Sequence, residues 1–183
     1  MRLVQMPPHL IRVDEADLVA AGIEPGVLAQ FQTYLPSVLE ERRGVALLLP
    51  TGAGGDMLLM LLARRVGAAL RDENIRLRDT GGDIKGEKKR LCYLPGDVLY
   101  EAYDTAADRQ SLANEAACFF QDLDAVWAGR VPESATPRPD TFLALLDVRL
   151  AAGLPTFLNA DPSILPPAVL DGLRARLQVI EPA

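Results

Sequence analysis

The sequence predicts an α/β fold, a three-layer α/β/α arrangement with a parallel sheet of about five strands between helices. Short apolar runs of strand length, among them Val45-Ala46-Leu47-Leu48-Leu49 and Ala116-Ala117-Cys118-Phe119-Phe120, alternate along the chain with longer helical stretches. These runs are continuously apolar, as expected of strands covered on both faces. The 183 residues, 49% hydrophobic and 24% charged, are one domain's length and lie within the globular range.

Residues 1–24 carry Pro7, Pro8 and mixed charge without a sustained period, and read as an irregular N-terminal arm; residues 25–183 read as the domain. Pro25-Gly26 opens a helical run through Tyr34, and Pro36 restarts a second short helix that closes on Glu40-Glu41-Arg42-Arg43. Val45 to Leu49 forms the first strand, stopped by Pro50. A glycine-rich turn, Thr51 to Gly55, then leads into Met57 to Leu70, which is long enough for a buried helix. The polar stretch Asp72 to Arg90, with its Gly81-Gly82 turn signal, reads as a loop. A strand over Leu91 to Leu94 and a helix from about Pro95 to Tyr103 follow. After the strand at 116–120 comes a proline-containing loop, Gly129 to Pro139. The chain then reads as helix (Asp140 to Ala152), strand (Pro155 to Leu158), helix (Pro166 to Leu177) and a last strand (Gln178 to Ile180).

Several function classes are excluded by composition. A net charge of -6 disfavours binding to nucleic acid or an anionic membrane through long-range attraction, so a DNA contact would be weak and local. With His9 the single histidine, Ser-His-Asp and Cys-His catalysis and the usual His-rich zinc sites fall away. Cys92 and Cys118 lie in apolar strand runs and read as buried reduced thiols, not a disulfide framework. No apolar run reaches the ~18 to 20 residues of a membrane span and the start lacks a signal-peptide pattern, so the expected location is the cytoplasm.

Chemistry concentrates at Leu49-Pro50-Thr51-Gly52-Ala53-Gly54-Gly55-Asp56, a glycine turn between a strand and a helix, where a phosphate-binding loop sits. A working loop, G-x-x-x-x-G-K-[ST], also needs a lysine on the β and γ phosphates and a hydroxyl on magnesium. Here Leu49 stands at the first glycine, Gly55 at the lysine and Asp56 at the hydroxyl. A carboxylate at a helix N-terminus repels phosphate and competes for the same donors, so the anion site is expected to be filled from within.

The segments YLPSVLEERRGVALLLPTGAGGDMLLMLLARR, RLCYLPGDVLYEAY, ACFFQDLDAVWAG and LLDVRLAAGLPTFLNADPSILPPAVLDGLRARLQVIE, in that order, resemble the AAA+ ATPase core of DnaC-type helicase loaders and the DnaA/Hda initiator group. The resemblance covers roughly residues 34–181 and implies a P-loop NTPase fold, here without a C-terminal lid. By position it puts Gln121 at the magnesium-binding acid of Walker B and Asp122 at the second acid. Sensor 1 falls on Asp161 and an arginine finger on Arg176. Only Arg176 keeps the family's residue, although it and Arg174 also read as cations at a helix C-terminus.

The resulting expectation is a pseudo-ATPase of the replication loader and initiator group, with no catalytic residue, metal or cofactor, that binds a protein. The partner would be a replicative helicase, an initiator, a clamp or another AAA+ subunit. The alternatives are a divergent ATPase that holds ATP and magnesium through the amides of Gly52 to Gly55, and a self-assembling structural protein indifferent to nucleotide. Asp122 and Asp124 read as loop caps ahead of a shared metal. Arg76, Arg78, Lys85, Lys88, Lys89 and Arg90 form a basic region interrupted by Asp79, Asp83 and Glu87 and read as a solvated loop. Trp127 reads as a core anchor, and Gln5 to Leu10 resembles the clamp-binding peptide of Hda.

Overall fold

The computed structural model describes residues 15–41, 43–80, 91–96, 106–129 and 138–182. The chain runs α1 (Glu15–Ala20), α2 (Pro25–Glu41), β1 (Val45–Leu48), α3 (Gly55–Asp79), β2 (Leu91–Pro95), α4 (Ala106–Asn114) and β3 (Ala117–Gln121). A 3-10 turn (Leu123–Val126) is followed by α5 (Pro139–Ala151), β4 (Thr156–Ala160), α6 (Pro167–Arg176) and β5 (Gln178–Ile180). Among the described residues five strands form one parallel sheet in the order β2-β3-β4-β1-β5. This is the expected architecture, with β1 flanked by β4 and β5.

Alternation along the strands divides the core into two layers. Val45, Leu47, Tyr93, Phe119 and Phe157 face α2 and α3, where Phe31, Leu58, Leu62 and Val66 cover them. Ala46, Leu48, Cys92, Phe120 and Leu158 face the other way, under Leu112 of α4, Phe142 of α5 and Leu173 of α6. Tyr93, Phe119 and Phe157 occupy one register row across β2, β3 and β4, with ring centroids 6.1 and 4.6 Å apart. Parallel strands demand covering on both faces, and these runs supply a large apolar side chain to each.

Several boundaries differ from the sequence reading. Part of the N-terminal arm is helical: α1 spans Glu15–Ala20 and plants Leu18 in the core. The two short helices before β1 are one, because Pro36 lies inside α2 on its exposed side, where water can meet the missing ladder bond. Helix α3 runs on to Asp79, nine residues past Leu70, and takes in the start of the expected loop. Residues 71–79 bury no side chain, so apolar periodicity gave no signal there, while Arg, Glu and Leu are sound helix formers. Pro95 ends β2, and residues 97–103 of the helix expected to Tyr103 lie outside the described residues, as do His9, the 5–10 peptide and Lys85 to Arg90. Trp127 is partly buried, packed edge-on against Phe142. No helix among the described residues is long and apolar enough to cross a membrane.

Candidate functional site

At the carboxyl end of the sheet a cleft of about 240 Å³ opens beside the end of β1. In an open α/β sheet this is where ligands bind, at a point where the strand order reverses. Its walls are the turn after β1 (Leu49, Pro50, Thr51, Gly52), the start of α3 (Gly55, Asp56), the turn after β3 (Asp122, Asp124) and the end of β4 (Asn159, Ala160, Asp161). The loop expected from sequence, the second Walker B position Asp122 and the sensor 1 position Asp161 therefore converge, while the first Walker B position, Gln121, is not in the lining: it lies at the end of β3 and accepts a hydrogen bond from the Tyr93 hydroxyl at 3.1 Å.

The loop owes its shape to glycines. Gly52 and Gly54 both have φ of 83°, left-handed values that disfavour a side chain, and Gly54 is the residue just before α3. Gly54 also has no room for one: a Cβ there would come within 2.6 Å of Ile23, which the corner between α1 and α2 presses onto the loop. Ala53 is half-buried and completes the turn by donating its N–H to the Pro50 carbonyl.

The polar groups of the cleft are bonded mainly to one another. Asp161 Oδ2 accepts the Thr51 N–H at 2.8 Å and the Thr51 hydroxyl at 3.0 Å; Oδ1 accepts the Ser163 N–H at 3.0 Å and hydroxyl at 2.6 Å. These donors, Ser163 first, hold its carboxyl down at about 2. The Asp161 N–H in turn donates to Asp124 Oδ1 at 2.9 Å. Asn159 and Asp122 bond reciprocally: Nδ2 donates to Asp122 Oδ1 at 2.8 Å, and the Asp122 N–H donates to Asn159 Oδ1 at 2.9 Å. That pair fastens Asp122 in a left-handed conformation, φ 49°. The carboxylate meeting the loop from within is thus Asp161; Asp56 stands in the first turn of α3 as another wall.

Among the described residues the lining carries four aspartates, at 56, 122, 124 and 161, and no lysine or arginine. No three carboxylate, thiol or imidazole side chains among them are grouped to hold a metal ion. Asp122 and Asp124 tie the turn after β3 to the end of β4; Asp122 precedes the 3-10 turn but makes no side-chain cap bond to it, unlike the loop cap expected from sequence. Asn159 escaped the sequence reading. Its signal was a polar residue inside the apolar run of β4, which a strand covered on both faces tolerates only with a partner.

Arg176 lies at the other end of the sheet. Gln178 pairs with Val45, the first residue of β1, so the C-terminus of α6 meets the amino end of the strands. Its guanidinium forms a two-pronged pair with Asp147, Nε to Oδ1 at 2.6 Å and Nη2 to Oδ2 at 3.0 Å. That contact lowers the Asp147 carboxyl and raises Arg176. Reaching a neighbouring molecule's nucleotide would require this pair to open.

No family model matches the sequence, and no curated protein matches it. Solved structures do. A protein assigned as a primosome component of Streptococcus pyogenes serotype M3 superposes with a TM-score of 0.61 at 14% identity, over 98% of this chain and 91% of that one. A DNA replication initiation factor gives 0.57 at 12% identity, over 87% and 46%. DnaA from Aquifex aeolicus, bound to AMPPCP, gives 0.54 at 11% identity, over 84% and 44%. The chain spans less than half the length of the last two.

Proposed function

We propose that this chain, which shares its fold with DnaA and the primosome component, is a catalytically silent AAA+ P-loop module that works in DNA replication by binding another protein and not by hydrolysing ATP. The charge of the cleft carries this reading: four carboxylates surround the loop, with no cation among the described lining residues. Backbone amides at a glycine loop attract phosphate only while the local field is positive. Here Asp161 has taken a loop amide and the Thr51 hydroxyl, and Asp56 stands at the helix N-terminus.

The residues present do not fit a magnesium nucleotide. Gly55 supplies no ammonium group, Asp56 no hydroxyl and Gln121 no carboxylate, while Asp122 and Asp124 are engaged by Asn159 and the Asp161 N–H. Phosphoryl transfer depends almost wholly on positioned charge, so losing these groups together removes orders of magnitude in rate. A fold kept without that chemistry acts through its surfaces. The partner in this reading is a replicative helicase, an initiator, a clamp or another AAA+ subunit, with DNA contact secondary in a chain of net charge -6.

The test is equilibrium titration with a fluorescent ATP analogue, with and without magnesium, alongside thermal unfolding at millimolar ATP. The expected result is no saturable signal and an unchanged Tm. Saturable magnesium-dependent binding with a raised Tm, as a ligand of the folded state requires, would overturn the proposal.

A further inference from the structure

The sequence holds two cysteines, 26 positions apart, and the fold brings them face to face. Cys92 on β2 and Cys118 on β3 are register partners in the parallel ladder. Both are fully buried and free, and both belong to the core layer under α4 and α5. Their side chains leave the same face of the sheet, and Cys118 Sγ donates to the Leu112 carbonyl of α4 at 3.6 Å.

Neighbouring strands run about 4.7 to 4.9 Å apart. Register partners therefore fall inside the ~4.4 to 6.8 Å Cα separation that a disulfide spans. Parallel Cβ vectors keep about the same spacing, a little wider than the ~3.5 to 4.5 Å between the Cβ atoms of a relaxed bridge. The bridge therefore forms by a small inward pull of one strand. β2 is the strand able to give, because among the described strands it lies at the edge of the sheet and pairs with β3 alone.

We propose that Cys92 and Cys118 form a latent dithiol site, reversibly oxidised by a peroxide to an intrachain disulfide that ties β2 to β3. One sulfur attacks a peroxide oxygen, the O–O bond breaks, and a sulfenic acid and one water result. The second sulfur attacks the sulfenic sulfur, expelling its oxygen, which takes up a proton as a second water. Two thiols and one hydrogen peroxide thus give one disulfide and two waters. The neighbouring Cys118 and burial push the Cys92 thiol up, and both sulfurs are closed off from water, so attack waits for β2 and α4 to part, and oxidation is slow and gated by that opening.

The test treats the folded protein with excess hydrogen peroxide, removes it, unfolds the chain in guanidinium with iodoacetamide, and reads intact mass. The expected product is a monomer that takes no alkyl label and regains two labels after dithiothreitol, with residues 92 and 118 found linked, two hydrogen atoms lighter, in a peptide digest, apart from any oxygen that the four methionines take up. The observed rate should stop rising at high peroxide, as gating requires. Cys92→Ser and Cys118→Ser each remove the link and keep one label. Two labels surviving on wild-type protein, a disulfide-linked dimer, or added oxygen atoms without a link would overturn the proposal. The wild-type measurement decides even if a variant does not fold.

Discussion

The two ends of the sheet solve opposite electrostatic problems with the same material. At the carboxyl end, Asp161 is a partly exposed anion satisfied by N–H and O–H donors of Thr51 and Ser163. At the amino end, Arg149 of α5 is a fully buried cation satisfied by oxygen acceptors. Its Nη1 donates to the carbonyls of Leu112 and Glu115 at 2.6 and 2.9 Å, its Nη2 to Pro155 at 2.9 Å and its Nε to the Thr156 hydroxyl at 2.8 Å. Each charge is met by peptide and hydroxyl dipoles along these bonds. The difference is burial: water can replace the partners of Asp161 but not those of Arg149.

That contrast predicts unequal costs. Arg149→Met should have the largest effect. It removes the guanidinium from three carbonyls at the end of α4 and the entry to β4, leaving Leu112 the Cys118 thiol and Pro155 the Cys118 N–H, and orphans the Thr156 hydroxyl, a loss of about 3 kcal/mol or more in urea unfolding. A loss under about 1 kcal/mol would mean that water enters and the two ends are alike after all.

Asp161→Asn should cost less, about 1 kcal/mol at neutral pH once solvent screening of a partly exposed carboxylate is allowed for. Its sign is set by pH. The folded carboxyl sits at about 2 against an ordinary 3.8, so its contribution is complete above about pH 4 and is lost as pH falls towards 2. The gap in stability between wild type and variant should therefore close over that interval. A gap constant from pH 7 to 2 would show that the carboxylate charge is not what holds the loop.

Arg176→Ala should have the smallest effect. Its pair with Asp147 is exposed on the carboxylate side, 54%, and screened by salt, so Tm should scarcely move and any difference should vanish in high salt. A salt-independent drop would place Arg176 among the structural cations with Arg149.

The same contrast explains what could be read from the sequence. The strands β1 and β3 were legible because Val45 to Leu48 and Ala117 to Phe120 are unbroken apolar runs, and the loop was legible because Thr51 to Gly55 sits between a strand and a helix. Arg149 was not legible: in a helix, an arginine reads as a surface cation, and nothing local announces that carbonyls from α4 and β4 will converge on it. Asn159 and Asp122 lie 37 positions apart, and their reciprocal bonds exist only because β3 and β4 are neighbours. Local propensity decided the remaining boundaries. Pro36 signalled a break that the exposed side of α2 absorbs, and residues 71–79 continue α3 without an apolar stripe to mark them.

Pro36 gives α2 a mechanical character. A 17-residue helix that lacks one rung, the bond residue 36 would donate to the carbonyl of Gln32, is stiff on either side of the gap and compliant at it. The leading segment seats Val27 and Phe31 in the core and is tethered by the Gln30 amide to the Glu181 carbonyl at 3.1 Å, just past β5. The trailing segment is pinned by Val38. The leading segment starts at the corner that carries Ile23 onto Gly54, so the side chain that fills the space over the loop is set by the same core packing of Val27 and Phe31 that holds α2 in place on that side of the proline.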